Sequence, residues 1–389
     1  MPSWMVGIDT GGTFTDLIAF EVESGELQVA KVSSDPSDPS NAVMAALDEL
    51  FGMGIAPADI ASLVHGTTVA TNAILEGKGV KTGLLITDGF RAVYEARGWA
   101  RPDATDLIDP FYRKPPLLAP QSLTHGIPGR MDYQGAELEA LDDDAVRTAA
   151  QALMADGVES VAVCYLFSFQ NAAHEQRTAE ILAEESDDWR VSLSSVVLPT
   201  IREYPRQSTT VIDAYIGPIM QLYLERLSDR LVEHGVETPQ VFLMQSNGGL
   251  MRITIGARFP NQTLLSGPAG GVVAGEELAR ITGQQEIVTL DMGGTSTDIA
   301  MITGGRAAET SEGKIAGQDI GTPMLQVRTL GAGGGTIARI GPDGLVKVGP
   351  DSAGAIPGPA CYGRGGELPT VTDANLVLGA LASDNVLGG

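Results

Sequence analysis

Two stretches of this chain carry the same residue types at the same spacing. Near the start stands Val6-Gly7-Ile8-Asp9-Thr10-Gly11-Gly12-Thr13-Phe14-Thr15-Asp16-Leu17-Ile18. Far downstream comes Thr289-Leu290-Asp291-Met292-Gly293-Gly294-Thr295-Ser296-Thr297-Asp298-Ile299-Ala300. Both read as an apolar strand, Asp, any residue, Gly-Gly-Thr, any residue, Thr-Asp, and a second apolar strand. A hairpin that turns on two glycines exposes backbone N–H groups, and those donors form a nest for phosphate oxygens. The hydroxyls of Thr13, Thr15, Thr295 and Thr297 add donors without blocking the approach. Asp9 and Asp291 end their strands at the mouth of each turn, where a carboxylate can hold Mg²⁺ through retained water, and Asp298 is a third metal candidate. Two such hairpins facing each other grip a polyphosphate from both sides. The alternative, two ordinary hairpins whose aspartates cap turns, explains either copy alone but not the repeated spacing.

The elements that must position these loops follow from periodicity and punctuation. Residues 4–8, 17–22 and 27–32 read as a three-stranded meander. A helix at about 40–52 starts on Asp38, Pro39 and Ser40. Residues 61–65 form a strand that turns at Gly66 into a helix beginning near Thr67 or Thr68, and 82–87 is another strand. From 98 to 135 the chain is rich in Pro, Asp and Arg and reads as long loops. A second unit is expected from about 137, with helix 142–155, strand 158–165, helix 171–186 and strand 190–196. After a proline-bounded crossing at 198–206 come helices over 208–234, strand 240–244, a helix near 268–282 and the apolar strand 287–290. The alternation predicts an α/β protein with mixed sheets. The domains are expected to be 1–200, with the first loop and an inserted α/β subdomain, and 201–389, with the second loop.

Composition excludes several classes of function. A net charge of −24 and no basic run argue against nucleic acid as a partner. No stretch of some twenty apolar residues suggests a membrane span. The first residues lack the basic patch and apolar run of a signal peptide. The 2 cysteines, Cys164 and Cys361, are far apart and fit a reducing compartment, so a cytoplasmic location is expected. Zinc spacings, a P-loop and a Gly-x-Ser-x-Gly elbow are all missing. The run Gly331-Ala332-Gly333-Gly334-Gly335-Thr336 lacks the last glycine of a dinucleotide fingerprint.

The paired motifs resemble the two phosphate loops of the actin, sugar-kinase and heat-shock-chaperone superfamily. That resemblance implies an actin-like ATPase (ribonuclease H-like) fold and ATP with Mg²⁺ as cofactors. Ser266-Gly267-Pro268-Ala269-Gly270-Gly271 stands where that superfamily places a small-residue helix before the second loop. By the same likeness, Gly333 and Gly334 are nucleotide-contact candidates at the start of a helix. Longer stretches are similar to one branch, the hydantoinase A / 5-oxoprolinase family. They include His65-Gly66-Thr67-Thr68-Val69-Ala70-Thr71-Asn72, Leu198-Pro199-Thr200-Ile201-Arg202-Glu203-Tyr204, Met244–Leu250 and Gly349–Gly365. This likeness implies an ATP-dependent enzyme acting on a cyclic amide, or a ketone carboxylase subunit. It also implies a hydantoinase B-type subunit or fused domain as partner, and hence a hetero-oligomer. An actin-like conformational switch without a small substrate is the reading from another class. Members of the family run beyond the position of Gly389, so truncation is expected there, with part of an adenosine site lost.

Several single residues remain candidates. His65, before the expected helix start, can contact substrate or phosphate as a catalytic group. Arg91 and Arg97 can grip a carboxylate or phosphate. Glu203, Tyr204 and Arg206 lie in the crossing and can face a cleft. Asp373 and Asn375 are expected to cap a helix over 376–381. Cys361 has no basic surroundings that mark a nucleophile.

Overall fold

The computed structural model describes residues 2–12, 14–35, 37–97, 113–294, 296–354 and 356–382. Thr13 and Thr295 therefore lie outside the described residues, as do residues 98–112 of the expected loop region and the Gly388-Gly389 end.

The first hairpin, Trp4–Thr10 and Phe14–Glu21, continues into Leu27–Ser33 as an antiparallel meander. Trp4–Thr10 also pairs in parallel with Ile60–Thr67, which pairs in parallel with Val241–Met244. With Leu250–Arg252 at its far edge, this makes a mixed sheet of six strands. Alternation sends Val6, Ile8, Leu17 and Ala19 to one face, where all four are buried. The helix Pro39–Gly52 covers that face with Val43, Ala46, Leu47 and Leu50. It starts as the sequence indicates: Asp38 accepts from the Ser40 amide at 3.1 Å, and Pro39 occupies the first turn.

A second sheet has four parallel strands in the order Arg190–Leu193, Ser160–Cys164, Thr82–Thr87 and Thr124–Ile127. Here the sequence reading needs correction. Strand 82–87, which the sequence leaves unassigned to a sheet, sits at the centre of the second. Every residue of Thr82–Thr87 is buried, the pattern of a parallel strand covered on both faces. Thr124–Ile127, expected in a loop, is its neighbour, and the strand expected over 190–196 ends at Leu193, where the helix Ser194–Val197 takes over. The inserted α/β subdomain is present, but its sheet begins near residue 82 and not 137.

One helix, Glu203–Glu233, replaces the several expected over 208–234 and packs between the two sheets. Its first half is buried all round, from Arg206 to Gly217. The helix Ser266–Thr282 leads to the second hairpin, Glu286–Met292 and Thr297–Thr303, which is extended by Val327–Leu330. A methyl group at Gly275 would stand 2.5 Å from Thr289 Cγ2, so this glycine sets the close approach of helix to hairpin. The segment after the hairpin then crosses back to the first half. Ile315, Ile320 and Met324 join the first core, and Ser208 Oγ donates to the Asp319 carbonyl at 2.6 Å. The mixed α/β class read from the sequence is the class of the structure.

The two hairpins differ in what covers them. Val288, Leu290 and Met301 occupy the repeat positions of Val6, Ile8 and Ala19. They are 62%, 63% and 66% exposed, whereas their counterparts are buried. The same sequence pattern therefore gives a core face in one copy and an open apolar face in the other.

Candidate functional site

The repeated spacing folds to a repeated register. Asp9 pairs with Asp16 across the first hairpin, and Asp291 pairs with Asp298 across the second. Each turn closes with the same backbone bond: Gly11 N–H to the Phe14 carbonyl at 3.0 Å, and Gly293 N–H to the Ser296 carbonyl at 2.9 Å. Nothing lies within 4 Å of where a side chain on Gly12 would begin. Packing does not demand glycine there, and its lack of a side chain keeps the face of the loop clear.

Asp9 stands where three elements meet. A methyl at Gly66, its in-register neighbour on Ile60–Thr67, would be 2.7 Å from Asp9 Oδ1; one at Gly267 would be 3.4 Å away. Ser266 Oγ donates to the Thr67 carbonyl at 3.0 Å and fastens the helix start to that strand end. Asp9 is exposed as a residue, yet Gly66 and Gly267 lie close against its carboxylate. Desolvation raises its carboxyl pKa above the ordinary value, followed by the charges of Asp16 and then Asp291, while Lys31 pulls it down. Asp291, from the other hairpin, is therefore near enough for its charge to be felt at Asp9. Asp298 is also raised, by burial first and by Asp291 last, although Thr329 Oγ1 donates to it at 2.6 Å.

Among the described residues no three acidic, cysteine or histidine side chains converge on one point as a closed metal cage. Asp9 and Asp291 are the strand-end carboxylates of the two loops that could take a cation.

The hydroxyls of Thr15 and Thr297 are placed differently from the expectation. Both side chains are buried, and they brace the loops from behind. Thr15 Oγ1 bonds Ser34 Oγ at 3.0 Å, and Ser34 in turn donates to the Gly11 carbonyl at 2.8 Å. Thr297 Oγ1 donates to the Ala332 carbonyl at 2.5 Å. Ser34 and Ala332 follow the third strand of their hairpins at matching positions, so the brace itself is repeated.

Gly333 and Gly334 do not start a helix; they lie between Val327–Leu330 and Thr336–Ile340. Gly334 N–H donates to the Gly293 carbonyl at 2.9 Å and Gly335 N–H to the Gly294 carbonyl at 2.6 Å. These glycines back the second loop because only bare backbone can approach it so closely. His65 also needs correction as a contact residue. It is fully buried, its Nε2 2.6 Å from the Tyr223 hydroxyl and its Nδ1 3.3 Å from the Ile8 carbonyl. Burial lowers its pKa to about 4, so the ring stays neutral and fixes the first hairpin to the long helix.

The remaining candidates are structural in their contacts. Arg97 donates to the carbonyls of Gly317 and Pro115, and Arg91 to that of Gln121. Arg206 is buried and bonded to Ser194, Thr200 and Tyr165. The Tyr204 hydroxyl donates to Asp319 at 2.6 Å. Asp373 sits in a capping box with Thr370 at the start of Val371–Val377, earlier than expected. Cys361 is exposed, with its thiol pKa pushed up to about 11, chiefly by desolvation. Lys31 was not singled out by sequence. Its signal is the meander itself, which puts it directly across from Asp16.

Comparison with known proteins agrees along nearly the whole chain. The sequence model "Hydantoinase/oxoprolinase" matches residues 206–389, and "Hydantoinase/oxoprolinase N-terminal region" matches 5–186. The caprolactamase subunit alpha of Pseudomonas jessenii is 41% identical over 99% of this chain and 56% of that relative. The crystal structure of the ATP-dependent caprolactamase from Pseudomonas jessenii superposes with a TM-score of 0.82, over 99% of this chain and 56% of that one. A nucleotide-free structure of acetone carboxylase, from work on ATP-dependent acetone carboxylation, gives a TM-score of 0.86 at 30% identity. It covers 100% of this chain and 56% of that one. The chain thus spans a little over half the length of these relatives. No helix among the described residues is long and apolar enough to cross a membrane.

Proposed function

The chain belongs to the hydantoinase/oxoprolinase family, and on that premise we propose that it is the ATP-gripping part of an enzyme that opens a cyclic amide. The observation that carries this reading is the junction at Asp9. Two loops of identical register each end a strand on an aspartate, and the charge of Asp291 adds to the rise in the Asp9 pKa. In this reading 1–200 and 201–389 each supply one loop of an actin-like site. Backbone N–H groups around Gly11, Gly12, Gly293 and Gly294 hold phosphate oxygens, and Asp9 and Asp291 would hold Mg²⁺, which would offset phosphate charge.

Such a site suits phosphoryl transfer, where positioning and charge stabilisation do most of the work. An unstrained amide is a poor electrophile because nitrogen donates into its carbonyl. Transfer of the γ-phosphoryl to the carbonyl oxygen forms an O–P bond, releases ADP and makes the carbon attackable. Water adds to that carbon, the C–N bond breaks as nitrogen takes a proton, and an acyl phosphate remains. A second water attacks the acyl carbon, and phosphate leaves with the former carbonyl oxygen. A hydantoin, 5-oxoproline or a lactam fits this chemistry. The likeness to acetone carboxylase favours one second reading, in which an enolate oxygen is phosphorylated before carboxylation. A hydantoinase B-type partner is part of both.

Substrate-dependent ATP turnover by the protein assembled with its partner separates the readings. Stimulation by a cyclic amide without bicarbonate is the expected result. Stimulation only by a ketone with bicarbonate selects the carboxylase, and turnover indifferent to every substrate contradicts both.

A further inference from the structure

Asp9, Asp16 and Lys31 form one row across the first sheet, since Asp9 pairs with Asp16 and Asp16 with Lys31. Directly opposed residues of antiparallel strands share a face, so all three side chains rise on the same side. Lys31 Nζ lies 2.6 and 2.8 Å from the two oxygens of Asp16 and 5.0 Å from the centre of the Phe14 ring. An ammonium has three N–H donors, and Asp16 engages two at most, which leaves one to give. The corresponding row of the second hairpin is Asp291, Asp298 and Thr329, with a hydroxyl where the first has an ammonium. Among the described residues Lys31 is the one base that ion-pairs with any of these four aspartates.

A polyphosphate entering between four carboxylates is repelled unless cations meet it. Resting on the phosphate-grip reading, we propose that Lys31 is a phosphate-contacting cation of the first loop. Its ammonium is stored on Asp16 and bridges Asp16 to a phosphate oxygen when the ligand enters. The asymmetry of the two rows makes the first loop the basic side of the grip. The Phe14 ring limits where the ammonium can swing, which keeps it beside the loop.

Calorimetry with Mg²⁺ and inorganic tripolyphosphate tests this on the chain itself, because the probe needs no adenine site. Lys31→Met is expected to bind roughly ten- to a hundredfold more weakly than wild type, the loss of one charge-assisted contact. Lys31→Arg is expected to stay within a few-fold, and unfolding temperatures check that each variant folds. The double variant Lys31→Met/Asp16→Asn removes the stored charge together with its partner. It stays weak if Lys31 touches phosphate. It recovers wild-type affinity if Lys31 only neutralises Asp16, and that recovery, or an unchanged Lys31→Met, overturns the proposal. Failure of the wild type to bind tripolyphosphate overturns the phosphate-grip reading itself, and this inference with it.

Discussion

Asp9→Asn is expected to move ligand affinity and stability in opposite directions. Binding of Mg²⁺ with tripolyphosphate should fall by roughly ten- to a hundredfold, the worth of a charge-assisted contact of about 1.5–3 kcal/mol. The unfolding temperature of the free protein should rise. The sign follows from the surroundings of Asp9: its pKa is raised by desolvation and by the charges of Asp16 and Asp291. A carboxyl with a raised pKa is destabilising in its ionised form, so a neutral isostere relieves the folded state above the ordinary carboxylate pKa. Sites that hold strained or repelling groups for a ligand show this trade of stability for function. Asp291→Asn should lose affinity to a similar degree. Calorimetry and thermal unfolding on the same samples check both halves. A loss of stability in Asp9→Asn, or unchanged binding in both variants, would remove these residues from the site.

Gly333→Ala is expected to damage the second loop without touching ligand. The added methyl would stand 2.6 Å from the Gly293 carbonyl oxygen, 2.7 Å from Ser296 N and 2.8 Å from Gly294 C. All three are backbone atoms of the loop, so relief requires the loop to move. Overpacking of this kind costs about 1–3 kcal/mol, and a displaced phosphate nest loses affinity as well. Gly331→Ala is the matched control, because nothing lies within 4 Å of its added methyl. Tripolyphosphate affinity should drop at least tenfold in the first variant and stay near wild type in the second. Equal behaviour of the two would mean that the glycine run does not support the loop.

The paired hairpins were legible because their spacing is local: Asp, two glycines and Thr-Asp fix register within a dozen residues. The Asp38–Pro39 helix start was legible for the same reason. What could not be read was set by distant partners. Thr15 and Thr297 look like phosphate donors in sequence, and only the fold shows their hydroxyls turned to Ser34 and Ala332. His65 looks exposed at a strand end, yet Tyr223 on the long helix covers it. Strand 82–87 carries no mark of which sheet it joins, since an apolar run suits the centre of either. Gly333 and Gly334 read as a helix start because glycine tolerates many conformations, while the requirement here is close approach to another loop. Lys31 lies fifteen residues from Asp16 and becomes its partner only when the meander is built.

Oxygen-18 placed at the substrate carbonyl tests most directly whether ATP here activates a carbonyl. Phosphoryl transfer to that oxygen, followed by attack at carbon, sends the label out with phosphate. The assembled enzyme, turning over labelled cyclic amide with unlabelled ATP and water, should therefore release inorganic phosphate that carries one substrate oxygen per ring opened, read by mass spectrometry. Ring opening coupled to ATP hydrolysis but with unlabelled phosphate would contradict the account and would leave the two loops as an ATP-driven conformational device.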